Sequence, residues 1–231
     1  MKLNVYATIL DDFGSELAFS DAVVIDVLRM TSTAVSALQN GAKGICLVGS
    51  EEKARALSKE KGALLGGERG GVKLPGFAFG NSPLEYIKER VENKNIVMTT
   101  TNGARAAEAA RGAKSVALMS FINVSAVYEY LKNKENITVI CAGTHDRFSL
   151  DDCLCAGALS SLLKPDEEND LSVSMRLLYE AHKDDVHRAL RDTKHYRYLK
   201  SIGFTDDLEY CLKRDTHTCV PVLNDEGWFT V

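Results

Sequence analysis

The sequence predicts an α/β fold: a mostly parallel or mixed sheet with helices on its faces. Two observations carry this. Short runs rich in Val and Ile alternate with helix-patterned segments along most of the chain. A weak internal repeat adds to it, because Gln39–Val48 resembles Ala110–Met119, and each follows a strand, a Thr-rich turn and a helix. Two such β-α-β units would bring two helix starts toward one pocket. The competing reading is that Gly-Ala-Lys is a common helix-stop phrase.

The elements follow in order. Ala22–Val27 is a continuous apolar run broken only by Asp26, as expected of a buried strand. Ser32–Asn40 reads as a helix that Gly41 is placed to end. Gly44–Val48 is the next strand and Glu51–Lys61 a charged surface helix. Ala63–Leu65 is a short strand entering a glycine loop, and Pro83 suits a first helical position. Strands are expected at Asn95–Met98, Val116–Met119 and Ile137–Cys141, with helices at Ala104–Arg111 and Leu150–Leu163. Residues 164–170 are a polar surface loop, and the segment to about Lys213 is mostly helical and charged.

The length of 231 residues suits one α/β domain, or two small ones sharing a sheet. The organisation expected is a single domain over 1–231, with 165–213 a mostly helical addition. A formal net charge of -4 argues against nucleic acid or an anionic membrane as partner. No apolar run reaches membrane-span length, and Met1–Val5 lacks the pattern of a signal peptide. Six cysteines without a Cys-x-x-Cys pair point to reduced thiols and a cytoplasmic setting. His217-x-Cys219 lacks the further ligands that zinc needs. Homo-oligomerisation stays open.

The chemistry-bearing stretches are Gly66-Gly67-Glu68-Arg69-Gly70-Gly71 and Thr99-Thr100-Thr101-Asn102-Gly103-Ala104-Arg105. Glycine admits a ligand close to the backbone, helix starts favour negative charge, and arginine grips phosphate or carboxylate with two donors. They predict a pocket for a small phosphorylated acid. Asp26 in an apolar strand is costly unless paired, metal-bound or at the strand end, and Arg29 follows it. Asp26 is the candidate nucleophile or base, with Arg29 beside it. Glu68 and Asp152 are candidate ligands for Mg²⁺, which takes few carboxylates plus waters. Arg69, Ser82, Thr100, Thr101, Asn102 and Arg147 are candidate substrate-binding residues, and Arg105 a further anion clamp; capping is the structural alternative for Ser82 and the Thr-Asn turn. Cys141 and Arg147 are six positions apart, as in cysteine-dependent phosphatases, but only those two ends match.

Taken together, Asp26-Val27-Leu28-Arg29 with Thr31-Ser32-Thr33, Gly67-Glu68-Arg69-Gly70-Gly71, Gly76-Phe77 with Gly80-Asn81-Ser82-Pro83, and Thr99–Gly103 resemble the 2-phosphosulfolactate phosphatase family of coenzyme M biosynthesis. Ser120–Asn123, Cys141-Ala142-Gly143, Arg147–Leu150 and Cys155-Ala156-Gly157 extend the likeness over nearly the whole chain. The resemblance implies an α/β/α fold and a Mg²⁺-dependent hydrolase converting 2-phospho-3-sulfolactate, or a related 2-hydroxy acid phosphate, to the hydroxy acid and phosphate. Met30, Ala78 and His145-Asp146 depart from the family pattern and bear on substrate choice more than on the reaction. Two alternatives remain: a non-catalytic binder of small phosphorylated or sulfonated acids, and a cysteine-nucleophile phosphatase using Cys141 and Arg147.

Overall fold

A computed structural model describes residues 1–231. In chain order the elements are β1 (Lys2–Tyr6), β2 (Asp21–Ile25), α1 (Met30–Gln39), β3 (Gly44–Leu47), α2 (Glu51–Lys61), β4 (Leu64–Arg69) and β5 (Val72–Lys73). Then come α3 (Lys88–Val91), β6 (Asn95–Thr99), α4 (Gly103–Ala109), β7 (Ser115–Met119), α5 (Val124–Leu131), β8 (Asn136–Cys141), α6 (Leu150–Leu163) and β9 (Glu167–Glu168). The chain ends with α7 (Asp170–His182), α8 (Val186–Leu190), α9 (Lys194–Ser201), α10 (Thr205–Cys211), β10 (Val222–Leu223) and β11 (Phe229–Thr230).

All eleven strands form one mixed sheet in the order β5-β4-β6-β3-β11-β10-β7-β2-β8-β1-β9. Strand β2 shows why helices must cover both faces: it is buried at every position. Val23 and Ile25 join a core with α5, α6 and the C-terminal helices, whereas Ala22 and Val24 join a core with α1 and α4. The result is the expected three-layer α/β/α arrangement. Thr193, Asn169 and Asp185 each cap a helix in the C-terminal segment by accepting an amide hydrogen bond. No helix is long and apolar enough to cross a membrane.

The repeat is visible in the pairing. β2-α1-β3 and β6-α4-β7 interlock, so that β3 pairs with β6 and β2 with β7, both parallel. The C-terminal hairpin β10–β11 inserts between the two pairs through antiparallel bridges, Val222 to Ala117 and Phe229 to Ile45. That insertion, with the antiparallel β4–β5 pair at the edge, makes the sheet mixed.

Most expected boundaries hold to within one or two residues, and two places differ more. Strand β4 continues through Gly66–Arg69, so only Gly70-Gly71 turns the chain into β5. Gly67 sits there at φ 148, with the Thr99 carbonyl filling the space a side chain would need. Pro83 opens only a one-turn 3-10 segment ending at Glu85.

Candidate active site

The site lies beyond the carboxyl ends of β2, β4 and β6, where open α/β sheets collect ligands. Strand β2 stops at Ile25, and the first turn of α1 pins the residues after it. The Thr31 hydroxyl donates to the Asp26 carbonyl (2.7 Å), and the Ser32 hydroxyl to the Val27 carbonyl (2.8 Å). The Met30 amide donates to Asp26 Oδ1 at 3.2 Å. Burial pushes the Asp26 carboxyl up to about 7, against the pull of that amide and of the His195 ring; the charges of Asp151 and Glu68 push the same way as burial.

Glu68, at the end of β4, is buried and heavily hydrogen-bonded. Its Oε1 accepts from the Thr101 amide (2.8 Å) and hydroxyl (3.0 Å), and its Oε2 from the Gly71 amide (2.7 Å). One carboxylate therefore ties the glycine hairpin to the Thr-Asn turn. Arg29 is 2% exposed. Its Nη1 donates to Asp207 Oδ2 (2.6 Å), its Nη2 to the Gly71 carbonyl (2.9 Å), and its guanidinium lies 3.8 Å over the Phe204 ring.

Of the predicted residues, Asp26, Arg29, Glu68, Thr101 and Asn102 line one cavity of about 60 Å³. It opens into an outer basin of about 930 Å³, where Arg147 lies beside Phe148 and Lys194. The others have different surroundings. Arg69 donates to the Glu68 carbonyl and the Thr99 hydroxyl, and Ser82 donates to Asp207 Oδ1 at 2.7 Å. The Thr100 hydroxyl caps α4 by accepting from the Ala104 amide. Arg105 pairs with Asp146 at 2.7 Å. Asp152 sits behind the cavity wall, accepting from the amides of Val27 (2.8 Å) and Gly143 (3.0 Å), where burial and then the charge of Asp151 hold its carboxyl well above the usual range. It joins the ends of β2 and β8 and does not share the Glu68 cavity.

The Thr99–Asn102 turn is therefore less an oxyanion pocket than the sequence suggests, because the Thr101 amide and hydroxyl are spent on Glu68. The cysteine mechanism fails on geometry. Cys141 is fully buried, outside the cavity, with its Sγ 3.8 Å from that of Cys153; that contact and burial push its thiol well up, away from the thiolate a nucleophile requires. Arg147 is exposed on the basin instead.

Among the polar lining residues, Asn81 enters the sequence reading only within the Gly80–Pro83 phrase, with no role, and two escape it altogether: His195 and Tyr198. The last two sit one turn apart on α9. His195 Nε2 meets the Leu28 carbonyl at 2.8 Å, and the Tyr198 hydroxyl donates to the Gly70 carbonyl at 2.8 Å. The Asn81 Oδ1 is buried with no hydrogen-bond partner.

The chain is thus an α/β protein in which two buried carboxylates, Asp26 and Glu68, and the buried Arg29 line one cavity at the carboxyl edge of a mixed sheet. Comparison with known proteins gives the family. The sequence profile of the 2-phosphosulpholactate phosphatase family matches residues 11–226. A protein of Caldicellulosiruptor saccharolyticus is 45% identical over 226 residues, spanning 93% of this chain and 92% of its own. One from Thermotoga maritima is 46% identical over 202 residues, 87% of this chain and 88% of its own. One from Caldanaerobacter subterraneus is 40% identical over 232 residues, 97% and 96% of the two chains. Each carries the name "Probable 2-phosphosulfolactate phosphatase". The chain belongs to this family.

Proposed function

We propose that the chain is a phosphoric monoester hydrolase that converts 2-phospho-3-sulfolactate, or a similar 2-hydroxy acid phosphate, to the hydroxy acid and phosphate. The observation that carries the reading is the gathering of Asp26, Glu68 and Arg29 on one cavity. A binding protein would need the arginine but not a buried carboxyl held at about 7, which is poised to gain or lose a proton near neutral pH.

Mg²⁺ is part of the proposal. No three His, Cys, Asp or Glu side chains gather as a ready-made metal site. Magnesium needs fewer, since it keeps waters and takes substrate oxygens. The donors fit: Asp26 and Glu68 supply carboxylates on the cavity, and Asn81 supplies a buried oxygen with no protein partner. When bound, the ion would offset negative charge on a phosphoryl oxygen. The protein's own groups do the rest. Arg29, fixed by Asp207, Gly71 and Phe204, holds an anionic oxygen with its remaining N–H groups. Asp26 acts on phosphorus, as nucleophile or as base toward water. Arg147 and Lys194 in the basin draw in an anionic substrate. Six free, buried thiols support a reducing, cytoplasmic setting.

Phosphate release from 2-phospho-3-sulfolactate tests the reading. The wild-type chain with Mg²⁺ should release phosphate, and EDTA should suppress it. No release under any metal condition would overturn it.

A further inference from the structure

The leaving group of a 2-hydroxy acid phosphate is an alkoxide, a poor one unless a proton reaches it as the ester bond breaks. Few groups on the cavity can provide that proton. Arg29 stays charged throughout, and its Nη1 and Nη2 are held by Asp207 and Gly71. The Tyr198 hydroxyl proton is given to the Gly70 carbonyl, and the Glu68 carboxylate accepts three hydrogen bonds. Asp26 is needed for attack on phosphorus.

His195 is different. It is half-buried and lines both the inner cavity and the outer basin; His145 lines both too, but it is exposed and no hydrogen bond fixes its ring. Its Nε2 lies 2.8 Å from the Leu28 carbonyl, which can only accept, so Nε2 carries a proton. The other ring nitrogen, Nδ1, has no protein partner. Leu28 is two residues past Asp26, so this hydrogen bond anchors the ring to the loop that carries the carboxylate.

We propose that His195 is the general acid of this site, giving the proton on Nδ1 to the leaving 2-hydroxy oxygen. The inference rests on the phosphatase reading above. In the step, the P–O bond to carbon 2 breaks and its electron pair stays on the oxygen. That oxygen takes the Nδ1 proton, leaving a neutral ring and the free hydroxy acid. The water whose oxygen ends on phosphorus gives up a proton, and the ring is recharged from it through Asp26 or solvent. The Nε2–H bond to Leu28 stays intact, so the ring cycles without changing place.

The test is His195→Gln, whose side-chain amide can still donate to the Leu28 carbonyl but has no acidic proton to transfer. Two small esters are compared, 2-phospholactate with its alkoxide leaving group and acetyl phosphate, whose carboxylate leaves without a proton. Loss of a general acid should lower kcat/KM for 2-phospholactate by about 10²–10⁴-fold, with a much smaller fall for acetyl phosphate. Equal falls on both esters, or no fall on either, would make His195 a strut for the Leu28 loop and overturn the proposal. If acetyl phosphate proves no substrate, added imidazole should revive 2-phospholactate turnover by His195→Ala, and failure to do so overturns the proposal. If neither ester is turned over, 2-phospho-3-sulfolactate takes the place of 2-phospholactate in the imidazole test; a wild-type chain that releases phosphate from none of the three defeats the phosphatase reading itself, and this one with it.

Discussion

Gly103, the first residue of α4, lies directly against the Asp26 carboxylate. A methyl group at Gly103 would overlap Asp26 Oδ2 and come within 2.8 Å of Met30 Cβ, at the start of α1. The two helix starts of the internal repeat thus meet across the acid, with no room for a side chain between them.

Gly103→Ala should therefore harm activity more than stability. The backbone there is not in the left-handed region, so the penalty is steric, about 1–3 kcal/mol if the neighbours shift. The shift falls on Asp26, and kcat should drop by at least about tenfold. A thermal melt and a turnover assay on the same preparation check both.

Asp26 gives a pH signature. Its carboxyl is raised from 3.8 to about 7 on folding, so between these values the native chain holds a proton that the unfolded chain has lost. Stability on this account is untouched below pH 4, falls as pH rises toward 7, and stays reduced above it. Asp26→Asn removes that loss, and Asn can still accept from the Met30 amide. In EDTA, urea melts should find the variant more stable than wild type at pH 8, by on the order of 1–4 kcal/mol, and little different at pH 4.

The Arg29–Asp207 pair is buried on both sides, at 2% and 4% side-chain exposure. Asp207→Leu leaves the guanidinium without its counter-charge and should cost about 3–5 kcal/mol. The double variant Arg29→Met, Asp207→Leu should recover much of that stability while remaining inactive, because Arg29 lines the cavity. Chemical denaturation of the three chains measures the difference.

Cys141→Ala should keep phosphatase activity, since the thiol is buried outside the cavity and held protonated. Its cost is confined to packing, about 1 kcal/mol. Loss of turnover in a folded variant would revive the cysteine mechanism.

Much of the fold was legible because its central strands are continuous apolar runs and its helices carry clear stops. Leu150–Leu163 and Glu51–Lys61 appear with the expected ends. β1 went unread although Leu3 and Val5 alternate with polar neighbours, since five residues give little periodicity. β10 and β11 are two residues each and exist through tertiary pairing. At the site, Asp26, Arg29 and Glu68 stood out as charges in apolar or glycine-rich settings. His195 and Tyr198 did not, because Lys194–Lys200 reads as a solvated face. The packing of buried Tyr196 and Leu199 into the core beneath them brings α9 over the cavity. Asp207 was hidden for the same reason: its partner, Arg29, is 178 residues away. Asp152 misled in the opposite sense. An acid in the first turn of a helix near the sheet edge looks available to a metal, yet it ties the ends of β2 and β8 together behind the cavity wall, away from Glu68.

The most direct measurement is phosphate release from 2-phospho-3-sulfolactate by wild type and Asp26→Asn, with Mg²⁺ and with EDTA. Wild type with Mg²⁺ should turn over, EDTA should stop it, and the folded Asn variant should be slower by orders of magnitude. Near-normal turnover by Asp26→Asn, or none by wild type, would contradict a phosphatase centred on this carboxylate.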